Sequence, residues 1–264
     1  MCSKTLSSVF AAALVCVLAS CIKEDRSGCP CYLTVDPTLV PSAVGGKMPA
    51  TLEISGARDF RDSLLLDGET CAEPFVVPVP RPNVFVSVFA GAEDCFVPGE
   101  GIRIPPGSDC PGVYLYSARV VTDGEESFVK PLPVKQFCVL TVKIVPVNDV
   151  FLESFHLEIS GSICGYHLDS RPAEGDFRCS AFPSGDGLCT ARLPRQRDNS
   201  LMMQVMEGEA ALRYFALGEY IAASGYDWTA ENLEDIYLEI DYAATSFTVR
   251  VNGWETTVEY EVLI

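Results

Sequence analysis

The sequence predicts an all-β protein made of two antiparallel β-sandwich domains in tandem. Three observations predict this class. Short runs rich in β-branched and aromatic residues recur along the chain, apolar and polar residues alternate within them, and clusters of Gly, Pro, Asp and Asn separate them. The chain has 18 prolines and 20 glycines, which punctuate it too often for long regular elements. A sandwich takes roughly 100 residues, so 264 residues provide for two.

The clearest predicted strands of the first half are residues 84–90 and 137–145. In the second of these runs, the apolar residues occupy every other position and are expected to share one face. They are Cys138, Leu140, Val142 and Ile144, opposite Thr141 and Lys143. Since antiparallel sheets bury one face and wet the other, this face is expected to line a core.

The second half repeats the pattern in residues 154–159, 236–242 and 247–251. The last predicted strand begins after Asn252-Gly253, a dipeptide typical of a two-residue hairpin turn. One of its faces carries Trp254, Thr256, Val258, Tyr260 and Val262, and the other carries three glutamates and a threonine. Apolar residues rarely recur at the spacing of a helix, so only short helical turns are expected, around residues 210–223 and 230–233.

The predicted domain boundaries follow from these runs. Residues 1–20 are expected to be a lipoprotein signal peptide and residues 21–30 a lipidated tether. The N-terminal sandwich is expected to span residues 31–148 and the C-terminal sandwich residues 149–264. The seam is placed at Pro146-Val147-Asn148-Asp149, a polar, turn-rich break between two strands.

The amino terminus carries a targeting segment that ends at a candidate covalent site. Lys4 precedes an apolar run at residues 9–18, which is too short to span a bilayer. The following Leu18-Ala19-Ser20-Cys21 is similar to a bacterial lipobox, in which the cysteine thiol is acylated after cleavage. Cys21 is therefore the predicted lipidation site, with a secretory signal whose cleavage site happens to hold a cysteine as the alternative.

Charge and motif content narrow the class of function. Acidic residues outnumber basic ones by 36 to 19, a net charge of −17 that repels nucleic acid. The chain contains no zinc-protease, nucleophile-elbow, phosphate-loop or dinucleotide motif. Its two histidines are His156, expected to point away from the core, and His167, expected in a loop. A non-enzymatic protein without a cofactor or metal is predicted, and the abundant carboxylates are interpreted as solvated sheet faces.

Nine cysteines follow Cys21, an odd number, so complete pairing would leave one thiol. Cys29-Pro30-Cys31 matches neither a redox motif nor, alone, a zinc half-site. Two interpretations of the nine cysteines stay open, structural disulfides and reduced thiols in the core.

The two ends of the mature chain resemble one known family. Residues 25–36, Asp-Arg-Ser-Gly-Cys-Pro-Cys-Tyr-Leu-Thr-Val-Asp, are similar to the opening of the fimbrillin-associated anchor lipoproteins of Bacteroidetes. The tail segments Gly225-Tyr226-Asp227-Trp228, residues 235–242, residues 247–251 and Gly253-Trp254-Glu255 resemble the carboxy-terminal signature of that family. The acidic residues behind Cys21 resemble the Bacteroidetes signal for export to the outer face of the outer membrane.

The resemblance implies a fold, a location and a mechanism. It implies two transthyretin-like Greek-key sandwiches, a lipid on Cys21 and a place at the base of a fimbrium, bound to the outer membrane. Its partners would be fimbrial shaft or accessory subunits, joined when a strand of one subunit completes the sheet of another. The candidate exchange strand carries Trp254, Val258, Tyr260 and Val262. The alternative is that this strand completes its own sheet.

A second function remains open from the sequence. A glycan-binding surface lipoprotein of a polysaccharide-uptake system would share the lipid, the acidity and the sandwich fold. Trp228 and Trp254 could stack on sugar rings, although Trp254 shares a face with Val258 and Val262 and is expected in the core.

Overall fold

The structure is a computed structural model that describes residues 28–145, 155–241, 246–251 and 254–259. Strands dominate it, which confirms the predicted all-β class. The signal peptide, Cys21, Tyr260 and Val262 lie outside the described residues. In the part that the structure covers, helices are too short or too polar to cross a membrane.

Nineteen strands follow one another along the part of the chain that the structure describes. They are β1 (Cys31–Val35), β2 (Ala50–Gly56), β3 (Arg61–Leu66), β4 (Phe75–Val79), β5 (Asn83–Ala90), β6 (Phe96–Val97), β7 (Gly101–Arg103), β8 (Tyr114–Val121), β9 (Glu126–Val129), β10 (Val134–Lys135), β11 (Phe137–Val145), β12 (Phe155–His167), β13 (Pro172–Ala181), β14 (Leu188–Pro194), β15 (Met202–Glu207), β16 (Ala210–Phe215), β17 (Ile236–Asp241), β18 (Ser246–Val251) and β19 (Trp254–Glu259). Two short helices are α1 (Val40–Ala43) and α2 (Leu217–Ala223).

The strands form two pairs of sheets. In the N-terminal half, a three-stranded sheet of order β4-β1-β9 lies with a five-stranded sheet of order β10-β8-β5-β2-β3. In the C-terminal half, one sheet has the order β14-β11-β17-β18-β19. The other has the order β16-β15-β12-β7-β6, and β13 also pairs with β12. Each pair shares a hydrophobic core to which both of its sheets contribute.

The two halves repeat one connectivity. The first strand of each half, β1 or β11, lies between an antiparallel partner, β4 or β14, and a parallel partner, β9 or β17. In the opposite sheet, β2 pairs with β3 and β5 as β12 pairs with β13 and β15. The prediction of purely antiparallel sheets is corrected at the two parallel pairs, because each joins the first strand of a half to a strand late in that half.

The predicted seam at residues 146–149 lies outside the described residues, so the domain boundary stays a prediction, and the pairing shows only which sheets the neighbouring strands join. Strand β11 pairs with β14 and β17, so it lies in a sheet with strands of the C-terminal half. The hairpin β6–β7, although it lies between β5 and β8 in the chain, pairs with β12 of the C-terminal half. Alternation within a strand reports which face is buried and not which sheet the strand joins, so the sequence pattern by itself assigns neither element to a sheet.

The burial of individual strands follows the predicted alternation. In β11, the face made by Cys138, Leu140, Val142 and Ile144 is no more than 2% exposed. Phe155, Leu157 and Ile159 of β12 are buried as predicted. The helical turns predicted at residues 210–223 resolve into strand β16 followed by α2, while residues 230–233 form no helix.

Candidate functional site

Sheet edges are the candidate functional surfaces, since an edge strand presents unpaired N–H and C=O groups that another strand can bind. The predicted exchange strand is β19, which pairs antiparallel with β18 at the end of its sheet. The register places Trp254 opposite Val251 and Val258 opposite Phe247, as a two-residue turn requires. The described part of this strand thus completes its own sheet, and its role in exchange stays a prediction.

The two edges of the N-terminal three-stranded sheet differ in their capacity to bind a strand. Edge strand β4 contains Pro78 and is flanked by Pro74 and Pro80. Proline has no N–H to donate and is a common means of blunting an edge. The β4 edge is therefore a poor template for strand addition.

Edge strand β9 offers donors that β4 lacks. The N–H of Tyr32 donates to the carbonyl of Glu125 at 2.8 Å, and the N–H of Asp36 donates to the carbonyl of Val129 at 2.9 Å. Alternate residues of a strand bond to opposite sides, so residues 125, 127 and 129 face β1 while the backbone groups of Glu126 and Phe128 face outward. Within the ranges that the structure describes, no strand pairs with this outer side.

An ion pair holds β9 against β1. Lys130, just after β9, places its ammonium nitrogen 2.8 Å from the carboxylate of Asp36, just after β1. The hydroxyl of Thr38 donates to the same carboxylate at 2.6 Å. The hydrogen bond from Lys130, followed by those from Thr38, lowers the pKa of Asp36 to about 2. These contacts fix the end of the open edge.

An apolar strip lies on the outer face of the same sheet. Tyr32 on β1, Val76 on β4 and Phe128 on β9 are 52%, 58% and 59% exposed. The register aligns Val76 and Phe128 on either side of Thr34. Large apolar side chains side by side on a solvent-facing sheet are typical of a surface that meets a partner.

The other residues considered from the sequence are dispersed. His156 stacks on Phe182 with 5.1 Å between ring centroids, and His167 is exposed at the end of β12. Trp228 is partly buried and packs edge-on against Tyr226 at 4.7 Å. In the described ranges, no three His, Cys, Asp or Glu side chains gather in a metal-binding geometry.

The nine cysteines from Cys29 to Cys189 are thiols in the described structure, and six of them are buried. Burial raises the pKa of Cys138 and of Cys179 to about 12 and that of Cys189 to about 11. A thiol whose pKa is raised by an apolar environment is a poor nucleophile and metal ligand. The buried cysteines therefore act as small hydrophobic core residues.

Comparison with solved structures shows what this fold is similar to. The fimbrial anchor protein Mfa2 of Porphyromonas gingivalis superposes with a TM-score of 0.61 at 13% identity, over 88% of this chain and 100% of that one. A Bacteroides thetaiotaomicron protein proposed to bind polysaccharide gives 0.63 at 13% identity, over 86% and 98%. A proposed adhesin of Bacteroides ovatus gives 0.60 at 9% identity, over 87% and 95%.

No family model and no curated protein sequence matches the chain. At these identities the similarity establishes the fold. The chain shares its all-β architecture with Mfa2 and with two Bacteroides proteins, one described as polysaccharide-binding and the other as an adhesin.

Proposed function

We propose that this protein is a non-enzymatic anchor subunit that ties a fimbrium to the bacterial outer membrane. Its two halves are transthyretin-like sandwiches, a lipid on Cys21 provides the attachment, and strand exchange with a fimbrial shaft or accessory subunit provides the connection. The fold shared with the fimbrial anchor Mfa2 over nearly the whole of both chains supports this assignment.

The proposal of strand exchange rests on a difference between the two halves, which lies in the sheet that contains the parallel strand pair. In the C-terminal half, the parallel strand β17 is followed in its sheet by β18 and β19. In the N-terminal half, the equivalent strand β9 ends its sheet, as far as the described residues extend. The position that β18 fills beside β17 is thus open beside β9, and a strand from a fimbrial subunit can add there.

The tether sets the geometry of attachment. Cys21 precedes the first residue of β1, Cys31, by ten positions, and ten extended residues reach at most about 35 Å. The N-terminal half, with its open β9 edge, would therefore stay close to the membrane. Several acyl chains, at about 0.8 kcal/mol per buried methylene, make such an anchor effectively permanent. The location we propose is the surface of the outer membrane at the base of the fimbrium.

Replacing the acylated cysteine tests the anchor role directly. In cells carrying Cys21→Ala, we expect fimbriae to appear in the medium and the cell-bound fraction to fall at least tenfold, measured by immunoblotting of cells and supernatant. Cys29→Ala is the matched control, because Cys29 is an exposed cysteine in the same segment outside the lipobox. Unchanged retention of fimbriae by the Cys21→Ala cells would contradict the proposal, as would a mass spectrum showing an unacylated mature terminus.

A further inference from the structure

Two neighbouring surface cavities lie in the C-terminal half and share part of their lining. One has a volume of about 470 Å³ and the other of about 390 Å³, and Arg197 and Asp198 line both. The larger cavity is also lined by Gln196, Asn199 and Trp228. We call the two together the Trp228 groove. It is large enough for one or two sugar-sized rings.

The loop that carries Trp228 is clamped to the sandwich. The guanidinium of Arg195 donates to the backbone carbonyl of Trp228 at 2.5 Å and to that of Ala230 at 2.7 Å. Its other nitrogens donate to the carbonyl of Lys135 at 3.1 Å and to the side chain of Gln136 at 2.9 Å. Because these bonds hold the loop before any ligand arrives, the aromatic wall of the groove is preorganised.

The polar wall is also prearranged. The carboxylate of Asp198 accepts the backbone N–H of Ser200 at 2.9 Å and the hydroxyl of Ser162 at 3.4 Å. Arg197 forms an exposed ion pair with Glu174 at 3.3 Å. The groove therefore presents fixed carboxylate acceptors beside guanidinium donors, with lone pairs still available to a ligand.

Two buried polar atoms at this groove have no partner. Gln196 is 3% exposed, and while its Nε2 donates to the carbonyl of Pro194 at 2.7 Å, its Oε1 is unpaired. The indole Nε1 of Trp228 is likewise buried and unpaired. Buried polar groups in proteins nearly always find partners, so orphans call for an explanation. Both atoms are shut off from solvent, so the unsatisfied acceptor and donor lie beneath the groove surface, and the groups that a ligand can contact are the exposed ones of Arg197, Asp198, Asn199 and the Trp228 ring.

We propose that the Trp228 groove binds a neutral sugar unit of a glycan. A sugar ring offers an apolar face to the indole and hydroxyl groups that both donate and accept, which matches the aromatic, carboxylate, amide and guanidinium groups present. Three carboxylates, those of Glu174, Asp176 and Asp198, line the groove. Of its two guanidinium groups, that of Arg195 is bonded to backbone carbonyls and that of Arg197 is paired with Glu174, so uronic or sulfated sugars are disfavoured. This binding role is separate from the membrane anchor, and either can fail without the other.

Calorimetric titration of the purified full chain with neutral tetrasaccharides built from mannose, glucose or galactose tests the proposal. We expect saturable binding of at least one probe, weakened at least tenfold by Trp228→Ala and by Asp198→Asn. Asp186→Asn is the matched control, because that carboxylate also accepts a nearby serine hydroxyl and a backbone N–H but lies outside the groove lining. It should leave the affinity unchanged.

Several outcomes would overturn the proposal. They are absence of binding to all three probes at millimolar concentration, binding that both groove variants leave intact, and stronger binding of an oligogalacturonate than of the neutral probes. Trp228 packs against the core, so Trp228→Ala can lower the melting temperature. In that event Asp198→Asn and Asn199→Ala decide, because both side chains are exposed.

Discussion

At the scale of single residues, the cysteines show how composition can mislead about chemistry. Twelve cysteines in a chain with a predicted export signal suggest disulfides or metal sites. The structure instead buries Cys138 on the core face of β11, Cys179 on β13 and Cys189 on β14, as thiols. Burial removes these thiols from water, which raises their pKa because it favours the neutral thiol over the charged thiolate.

The raised pKa values predict loss of stability in alkali. A free thiol titrates near 8.5, whereas the pKa of Cys138 in the folded protein is about 12. The folded state therefore holds its proton over a range in which the unfolded state has released it. The stabilisation is fully present below about pH 8.5 and is lost as the pH rises towards 12. Urea denaturation at pH 7, 9 and 10.5 should show a steadily falling free energy of unfolding.

A pair of variants isolates the thiol contribution. Cys179→Ala should lower stability at pH 7 by about 1 kcal/mol through the lost packing, and should flatten the alkaline decline, because one buried titrating group is gone. Cys29→Ala, at an exposed position, should leave both the stability and the slope unchanged. An alkaline decline that is equally steep in Cys179→Ala and in the unsubstituted protein would refute the assignment.

At the scale of elements, the three-stranded sheet has one blunted edge and one open edge. Pro78 removes a donor from β4, whereas β9 directs the backbone groups of Glu126 and Phe128 outward. The ion pair between Lys130 and Asp36 anchors the end of β9 without covering its outer side. We therefore expect any strand that adds to this sheet to pair with β9.

Substitutions at one position of β9 separate backbone from side-chain recognition. Phe128→Pro removes an outward N–H and leaves the bonds to β1, so we expect binding of a fimbrial shaft preparation to fall at least tenfold in a pull-down from detergent extracts. Phe128→Ala keeps the N–H and removes only part of the apolar strip, so it should reduce binding less. If the alanine variant binds as poorly as the proline variant, side-chain contact and not strand addition is the mechanism.

At the scale of the whole molecule, the two halves are interleaved. The hairpin β6–β7 leaves the N-terminal half and pairs with β12, where Gly101 lies opposite His167 and Gly165 opposite Arg103. Phe89 of β5 belongs to the C-terminal core and stacks on Phe96 at 4.2 Å. The hydroxyl of Ser87 donates to the carbonyl of Leu168 at 2.7 Å. These contacts couple the halves, so we expect a single calorimetric unfolding transition.

Gly101 provides a test of this coupling. A Cβ there would lie 2.1 Å from the carbonyl oxygen of Tyr166, and its φ of +123° disfavours any side chain. Gly101→Ala should detach β7 from β12 and either split the transition or lower its midpoint by several degrees. Gly107→Ala is the matched control, since its φ is also positive, at +84°, but no atom lies within 4 Å of its added Cβ. Two resolved transitions in the unsubstituted protein would contradict the coupling.

The sequence predicts only some of the candidate functional surfaces. The terminal strand was found from its alternation and from Asn252-Gly253. The β9 edge was missed, because Glu126–Val129 is a four-residue strand with no distinctive pattern. The Trp228 groove was approached only through Trp228 itself, since Ser162, Glu174 and Asp198 are distant in the chain.

What the sequence determined by itself is the local order: the strands, their buried faces and the short turns, because side-chain alternation and turn residues act over a few positions. Phe137–Val145 was predicted to the residue, with its core face correct. What only the tertiary structure decided is which strands meet: the parallel pairs, the transfer of β6–β7 to the C-terminal sheet and the open side of β9. Backbone hydrogen bonding is the same for every residue except proline, so the choice of partner depends on the packing of distant segments and leaves no local trace.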